Sequence, residues 1–325
     1  MFAGGEIVTE TEPVLFSGSG HRTLAAAIAK ELAMPLGACA TERFPDGEVT
    51  VHLAESVRNR EVFVIQPTSP PVNDHLIELV AFADACRRAG ANRIVAVVPY
   101  FGYARSDKRG ESRDPIMSAA VADILQTAGI GHLITVDPHS PQLESCFRIP
   151  FDSVSAVPVL AQAVRSSLAS DAVIAAPDVG AVRLATRYAE ILDRPVVVLH
   201  KRRETATRTS VTHVVGEVSG RPVLLIDDMI STGGTIARSI EALLAAGAKP
   251  GIIVAATHGL FVGGARELID TPAVAQFVVT DSMVLQNWEK LRIASIAPLL
   301  ASAISRTGGF QERCAVDWQA FAGAA

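Results

Sequence analysis

The chain has 325 residues, is 49% hydrophobic and 19% charged, and carries a formal net charge of −5, which suggests two globular domains and excludes an intrinsically disordered chain. An acidic balance argues against nucleic acid as the main partner, and four scattered cysteines without a CxxC pair are typical of a reducing compartment. No signal peptide is evident, because the first residues carry Glu6, Glu10 and Glu12 and lack a basic region followed by an apolar core. No membrane span is evident either, because the most apolar run, 251–265, is short and interrupted by Thr257 and His258. We therefore expect a soluble cytoplasmic protein.

The N-terminal half predicts alternating strands and helices. Strands are expected at 14–16, 49–53, 61–66, 93–99 and 132–137, with an alanine-rich helix at 22–33. An Asp-Gly turn at 46–47 favours a β-hairpin before the second of these strands. A further helix is expected to start at Asn73 or Asp74 as its cap, with an inward face formed by Leu76, Ile77, Val80 and Ala83.

The C-terminal half repeats the alternation from about Phe151. Helices are expected at 156–167 and from Asp178 to Leu192, and strands at 172–175, 196–199, 252–255 and 276–279. The polar segment 201–212 has few apolar anchors, so we expect it to be a mobile loop without ligand. Polar residues follow several strand ends, and this pattern predicts two tandem doubly wound α/β domains with mainly parallel sheets, at 1–155 and 156–325.

The stretch 223–236, VLLIDDMISTGGTI, carries the most specific signal. A buried strand runs into Asp227 and Asp228, a small-residue loop follows at 231–235, and a helix with Ile236, Ile240, Leu243 and Leu244 on one face stops at Gly247. Glycines let the backbone approach a ligand, and a helix start favours phosphate. Adjacent carboxylates can accept hydrogen bonds from vicinal sugar hydroxyls. The run is not a P-loop, since no Gly-Lys-Ser/Thr follows.

Together with five other motifs in the same order, this stretch resembles the ribose-phosphate diphosphokinases, or phosphoribosyl-pyrophosphate (PRPP) synthetases. The motifs are FPDGE at 44–48, YFGYARSDKR at 100–109, DPHSPQ at 137–142, APDVG at 176–180, KRR at 201–203 and DDMISTGGT at 227–235. The resemblance implies two phosphoribosyltransferase-like domains, Mg²⁺ as cofactor, and a reaction in which ATP and ribose 5-phosphate give PRPP and AMP. It also implies a homo-oligomer built from dimers, such as a hexamer, with no nucleic acid or membrane partner.

The resemblance also assigns roles by position. The residues implied for ATP are Phe44, Asp46, Gly47, Glu48, Arg105, Ser106 and Asp107, of which 44–48 reach into a neighbouring subunit's site. Those implied for ribose 5-phosphate are Arg203, Asp227, Asp228, Ser231, Thr232, Gly233, Gly234 and Thr235. His139 and Asp178 are the implied metal ligands, and Lys201 and Arg203 the catalytic cations of a mobile loop. Taken singly, most of these residues would more often be a solvated histidine, a helix cap or a surface charge run, but the ordered set makes those interpretations improbable.

Several positions depart from the family pattern. Ser106, Val179 and Ser231 stand where the family usually has Gln, His and Asp, and Glu144 stands where a regulatory anion site usually has Gln. Three interpretations therefore remain: an active synthetase, a non-catalytic or regulatory paralogue, and a phosphoribosyltransferase that consumes PRPP. The first is favoured because Lys201, Arg203, His139 and the Asp pair are all present. The third is disfavoured because FPDGE and YARSDKR would have no role in it.

Overall fold

Two sheets, each rich in parallel strands, organise the chain. The computed structural model describes residues 12–203 and 209–310, apart from the side chains of 201–203, 209–212, 266 and 269. The fold confirms the predicted α/β class with mainly parallel sheets.

The N-terminal sheet contains five parallel strands in the order β1-β4-β5-β6-β7. Its strands are β1 (Val14–Ser17), β4 (Glu61–Ile65), β5 (Arg93–Val98), β6 (His132–Val136) and β7 (Phe151–Val154). Its helices are α1 (Arg22–Glu31), α2 (Val72–Arg88), α3 (Met117–Ala128) and the short α4 (Gln142–Ser145). The predicted hairpin is formed by antiparallel β2 (Cys39–Arg43) and β3 (Val49–Leu53). It lies apart from this sheet as a small two-stranded sheet of its own.

The C-terminal sheet contains seven strands in the order β10-β9-β8-β11-β12-β13-β14. Its strands are β8 (Val173–Ala176), β9 (Val196–Arg203), β10 (Thr209–Val215), β11 (Val223–Ile230), β12 (Ile252–Gly259), β13 (Val274–Thr280) and β14 (Leu291–Ala294). Neighbours are parallel except β9 and β10, which pair antiparallel. The helices are α5 (Val157–Arg165), α6 (Val182–Leu192), α7 (Gly234–Ala245), α8 (Ala265–Ile269) and α9 (Ala297–Thr307).

A shared hydrophobic core joins the two sheets. One cluster of buried side chains contains Leu15 and Phe63 from the N-terminal sheet together with Ile174 and Leu224 from the C-terminal sheet. Helix α9 returns from the end of the C-terminal sheet to pack against α1. The domain boundary predicted between 155 and 156 lies between β7 and α5 and stays a prediction.

Helix α2 differs from its prediction in its start and its inward face. It begins at Val72 after Pro71, so neither Asn73 nor Asp74 is the cap. Ile77 is 52% exposed, whereas Leu79, Phe82 and Cys86 are fully buried. The helix thus turns Leu76, Leu79, Phe82, Ala83 and Cys86 inward, together with the carboxylate of Glu78.

Strand β9 is longer than predicted. The predicted strand ended at residue 199, but backbone pairing with β10 continues to Arg203, which is opposite Thr209. Lys201 and Arg203 therefore lie in a strand, while their side chains are outside the described part of the structure. Antiparallel pairing with β10 satisfies the backbone hydrogen bonds of this polar segment. The polar sequence alone does not indicate that pairing.

Candidate active site

A cleft of about 890 Å³ lies where the two halves of the molecule face each other. Most of its lining comes from the start of α2 and from the segment after β5, while Ser231, Leu260 and Val262 belong to the C-terminal half. Both β5 and β11 end at this cleft. Ligands of open parallel sheets bind at such carboxyl ends.

The segment after β5 supplies positive charge to the cleft. Arg105, Lys108 and Arg109 all line it, and so does Ser106. The Ser106 hydroxyl accepts a hydrogen bond from the Met117 N–H at the start of α3, at 3.2 Å. Its carbonyl accepts one from the Ser118 hydroxyl, at 3.0 Å. Ser106 therefore fixes the segment to α3. The three cations outnumber the two carboxylates that also line the cleft, Asp74 and Asp114, and this balance favours an anionic ligand.

Asp227 and Asp228 lie near the end of β11, between β8 and β12. The Asp228 carboxylate (Oδ2) is 2.6 Å from Nδ1 of His139, in the loop after β6. The other Asp228 oxygen accepts from the Met229 N–H, and Asp227 accepts from the Asp228 N–H, both at 2.9 Å. The structure thus brings the predicted DPHSPQ and DD motifs into direct contact.

The two aspartates differ in proton affinity. Burial, reinforced by the charge of Asp228, raises the pKa of Asp227 well above its usual range. Burial also acts to raise the pKa of Asp228, but the hydrogen bond and charge of His139 outweigh it, and the net shift is downward. The same hydrogen bond raises the pKa of His139. Asp227 therefore binds a proton more readily than Asp228, and Asp228 is the carboxyl group that ionises first.

The small-residue loop 231–235 connects β11 to α7. Gly233 has φ +78° and a Cβ there would lie 2.9 Å from Leu268 Cδ2, so this position requires glycine. Helix α7 begins at Gly234 without a side-chain cap, and its first backbone N–H groups are therefore available to an anion. Ser231 of this loop lines the cleft.

Asp178 follows β8, the strand beside β11. Its carboxylate accepts from the Ala181 N–H at 3.2 Å, and its charge contributes to the raised pKa of Asp227. Across the described ranges 12–203 and 209–310, no three His, Cys, Asp or Glu side chains converge as a complete metal site. His139 and Asp178 thus flank the aspartate pair without forming a preorganised cage.

The predicted adenine loop, 44–48, does not line this cleft, although Arg43 beside it pairs with the lining residue Asp74 at 3.0 Å. It forms the tip of the β2–β3 hairpin, where Phe44 is 46% exposed and Gly47 has φ +96°. The Glu48 N–H donates to Asp46 Oδ1 at 3.1 Å, which closes the turn. Residues 44–48 are absent from the lining of the cleft.

Two positions that sequence reasoning did not assign to the site are Thr257 and His258 on β12. The Thr257 hydroxyl donates to Asp137 Oδ2 at 2.7 Å, and His258 contacts the Val136 and Asp137 carbonyls. Their signal was visible as the polar interruption of an apolar strand. By itself, that interruption indicates only that the run does not span a membrane.

Two family models match successive parts of the chain. Residues 13–129 match the model for the N-terminal domain of ribose phosphate pyrophosphokinase, and residues 155–289 match the phosphoribosyl transferase domain. Ribose-phosphate pyrophosphokinase of Staphylococcus saprophyticus is 42% identical over 298 residues, 90% of this chain and 92% of that one. The Thermotoga maritima protein of the same name is 42% identical over 299 residues, covering 91% and 95%. The crystal structure of phosphoribosylpyrophosphate synthetase from Mycobacterium smegmatis superimposes with a TM-score of 0.85 at 37% identity, covering 91% of this chain and 99% of that one.

Proposed function

The chain belongs to the ribose-phosphate pyrophosphokinase family, and from this premise we propose that it makes PRPP from ATP and ribose 5-phosphate. The anomeric oxygen of the sugar attacks the β-phosphorus of ATP. The bond from that phosphorus to the oxygen of the α-phosphate breaks, AMP leaves with the electron pair, and one proton is released. The observation that carries this proposal is the arrangement around the cleft: three cations and Ser231 of the small-residue loop line it, and Arg105 interacts electrostatically with His139, which contacts Asp228.

For ATP, we assign the phosphates to Arg105, and we place Ser106 and Asp107 in the same ATP site. Arg105 lies in the cleft beside Lys108 and Arg109, and this cluster matches the charge of a triphosphate. We assign the adenine to Phe44, Asp46, Gly47 and Glu48 of a neighbouring subunit. Their exposed position on a hairpin outside the cleft of their own chain supports a site completed by a second copy.

For ribose 5-phosphate, we assign the sugar hydroxyls to Asp227 and Asp228 and the phosphate to the loop 231–235. The lowered pKa of Asp228 keeps its carboxylate as a hydrogen-bond acceptor for a hydroxyl. The uncapped start of α7 offers backbone N–H donors to the phosphate, beside the hydroxyls of Ser231, Thr232 and Thr235. Arg203 completes this set in our proposal.

The residues present fit magnesium as the cofactor. The contact of His139 Nδ1 with Asp228 leaves Nε2 as the nitrogen for a ligand, in the carboxylate–histidine arrangement that orients metal-binding imidazoles. Mg²⁺ usually takes few protein ligands and completes its shell with water and substrate phosphates, in keeping with the sparse set at His139 and Asp178. When bound, the ion would neutralise charge on the phosphates.

Lys201 and Arg203 are the proposed catalytic cations. They would stabilise the charge that develops on the transferring diphosphoryl group, a role that needs positioning more than covalent chemistry. Beyond the site, we propose a homo-oligomer built from dimers, such as a hexamer. We also propose the cytoplasm as its compartment, supported by the free thiols of Cys39, Cys86 and Cys146. No helix in the described part of the chain has the length and apolarity to cross a membrane.

The decisive experiment measures AMP release by the purified protein with ATP, Mg²⁺ and ribose 5-phosphate. We expect release that requires the sugar phosphate, and a loss of at least about 100-fold in Asp228→Asn, because that change removes an ionised acceptor from the site. Asp171→Asn is the matched control, since Asp171 is exposed and paired only loosely with Lys249 at 3.7 Å. Wild-type protein without sugar-dependent AMP release would overturn the proposal in favour of a non-catalytic paralogue. Consumption of added PRPP with a base would instead indicate a phosphoribosyltransferase.

A further inference from the structure

Hydrogen bonds from β12 hold the turn that precedes His139. Thr257 and His258, at the end of this strand, are 1% and 2% exposed. The Thr257 hydroxyl donates to Asp137 Oδ2 at 2.7 Å, and His258 Nε2 lies 3.1 Å from the Val136 carbonyl. Both bonds cross from the C-terminal sheet to the end of β6 in the N-terminal sheet.

The strand that makes these bonds is the direct neighbour of the one that carries the aspartates. In the β11–β12 register Asp227 is opposite Ala256, and Met229 is opposite His258. A single strand pair thus presents the Asp228 carboxylate and also holds, by hydrogen bonds from β12, the turn that leads to His139. This arrangement fixes the turn before His139 relative to Asp228.

The turn at Asp137 depends on these contacts. Asp137 has φ +33°, an unusual conformation for a residue other than glycine, which persists where the surroundings determine it. Its Oδ2 atom accepts from the Ala156 N–H at 2.9 Å as well as from Thr257. Its own N–H donates to the Val154 carbonyl at 3.0 Å. Removal of the Thr257 bond would therefore loosen a turn only two residues from His139.

The environment of His258 defines which ring nitrogen carries the proton. The Val136 and Asp137 carbonyls can only accept, so Nε2 donates to them. Nδ1 then accepts from the Ser282 hydroxyl at 2.9 Å. The ring packs edge-on against Tyr100, with centroids 5.1 Å apart, and burial lowers the pKa of His258, which keeps the ring neutral. His258 is thus held rigidly as a donor to the turn.

We propose that Thr257 and His258 are positioning residues, which hold the turn at 136–137 across the interface so that His139 meets Asp228. The inference rests on the proposed function wherever turnover is the readout. Small displacements of a group that positions substrate or metal cost rate steeply. A loss of the Thr257 bond should therefore lower turnover beyond what its effect on stability explains.

The first test compares Thr257→Val with Thr257→Ser and with Thr135→Val. Valine keeps the shape of threonine and removes the hydroxyl, while serine keeps the hydroxyl. Thr135 is a matched control because it is fully buried and donates at 2.8 Å to the Val98 carbonyl within the N-terminal sheet. We expect Thr257→Val to lower kcat about tenfold and to raise the Mg²⁺ concentration for half-activation. Thr257→Ser should remain near wild type, and Thr135→Val should lower only the melting temperature.

A double-variant cycle with His139→Ala identifies the route of the effect. If Thr257 acts through His139, its replacement by valine costs little further activity once the imidazole is gone. Equal losses in the two backgrounds would overturn the proposal while leaving the proposed reaction intact. Sugar-dependent AMP release by the wild type shows separately whether the reaction itself is right.

A crystal structure of Thr257→Val supplies a readout that needs neither turnover nor metal. We expect the distance between His139 Nδ1 and Asp228 Oδ2 to increase beyond hydrogen-bonding range, with the turn at Asp137 displaced. An unchanged contact would overturn the proposal. His258→Gln, which can place an amide N–H near the position of Nε2, should preserve the contact, whereas His258→Leu should not.

Discussion

Asp227 and Asp228 are adjacent in the chain but have opposite tendencies to bind a proton. The difference arises from the partner of each side chain. Asp228 meets the His139 imidazole at 2.6 Å, whereas burial and the neighbouring negative charge disfavour ionisation of Asp227. The two carboxyl groups are therefore not equivalent as hydrogen-bond acceptors for the vicinal hydroxyls of the proposed sugar site.

At the scale of one residue, Lys201 gives the sharpest prediction. Lys201→Ala should lower kcat about 100- to 1000-fold, because a preorganised cation on a developing phosphoryl charge typically contributes roughly 3–4 kcal/mol. Ribose 5-phosphate binding should remain nearly intact, since other residues are assigned to that substrate. Steady-state kinetics and a direct binding assay measure the two quantities.

The matched control for this prediction is Lys249→Ala. Lys249 is more than half exposed, its Nζ atom lies 3.7 Å from the Asp171 carboxylate, and neither residue lines the cleft. We expect its turnover to change less than about twofold. A Lys201→Ala enzyme with the same small change would show that the KRR run is a solvated surface segment.

Glu144 carries a prediction about regulation. It lies exposed on α4, five residues after His139, and brings a carboxylate to a segment where the family usually has glutamine. The negative charge of the Glu144 carboxylate repels phosphate. We therefore expect weak activation by millimolar phosphate in the wild type and stronger activation in Glu144→Gln. Rate measurements over a phosphate titration test this. Equal, ordinary activation of both proteins would contradict the prediction.

At the scale of elements, Glu78 joins α2 to the segment after β1 and to the β2–β3 hairpin. Its carboxylate, 2% exposed as a residue, accepts from the Ser19 N–H at 2.8 Å, from the Thr41 hydroxyl at 2.9 Å and from Gln66 Nε2 at 2.9 Å. The Ser19 hydroxyl donates to it as well. Glu78→Ala would leave these donors without their acceptor, so we expect a loss of about 2–4 kcal/mol in the free energy of unfolding.

Denaturant titration measures this loss, and Glu55→Ala is its control. Glu55 pairs with Arg60 at 2.8 Å at the surface, where an ion pair contributes less than about 1 kcal/mol. Comparable losses in the two variants would mean that water easily replaces the Glu78 carboxylate as the acceptor for these donors.

The contact between β6 and β7 predicts a pH dependence of stability. His132 Nε2 lies 2.8 Å from Asp152 Oδ2, and this hydrogen bond lowers the pKa of Asp152. A carboxyl group with a lower pKa in the folded state stabilises the protein above its unfolded pKa of about 3.9, and the contribution disappears as pH falls through the folded pKa. Since Asp152 is half exposed, the effect at neutral pH should stay below about 1 kcal/mol.

Urea unfolding of wild type and Asp152→Asn between pH 7 and pH 2 checks this sign. The wild type should be more stable at neutral pH, and the difference should shrink towards zero at the acidic end. Asp171→Asn should show a smaller dependence, because its carboxylate is paired only at 3.7 Å. A difference that grows on acidification would contradict the assignment.

Local patterns predicted most strands and the motifs that follow them, but not the features that depend on distant partners. The strands β1, β4, β5 and β6 appear within one or two residues of their predicted bounds, because continuous apolar runs specify buried parallel strands. The inward face of α2 was wrong at Ile77, since its orientation follows from packing against Phe16 and not from hydrophobicity alone. The extension of β9 likewise requires β10 as a partner.

At the scale of the whole molecule, the site could be predicted in its parts but not in its assembly. The motifs identified His139 and Asp228, but their contact joins positions 89 residues apart through the packing of two sheets. The packing of α9 against α1 and the hydrogen bond from β12 to the Asp137 turn also depend on how the two sheets pack. Sequence periodicity reports only what one element buries, so long-range polar contacts of this kind remain invisible to it.

The position of the hairpin loop 44–48 predicts that active sites are shared between subunits. The loop is exposed and lies outside the cleft of its own chain, so a monomer would lack the proposed adenine contacts. We expect Phe44→Ala and Lys201→Ala to be impaired separately, the first through the loop and the second through the cleft. When the two chains are co-expressed, about a quarter of randomly assembled sites combine an intact loop with an intact cleft. Turnover should therefore recover to about that fraction.

The control for this experiment is co-expression of Lys201→Ala with Asp228→Asn. Both changes are assigned to the part of the site formed within one chain, so no mixed pair restores a complete site and turnover should stay low. Sedimentation under assay conditions should show the active species as an oligomer. Full activity in a sedimenting monomer, or an absence of recovery in the Phe44→Ala mixture, would show that each chain completes its own site.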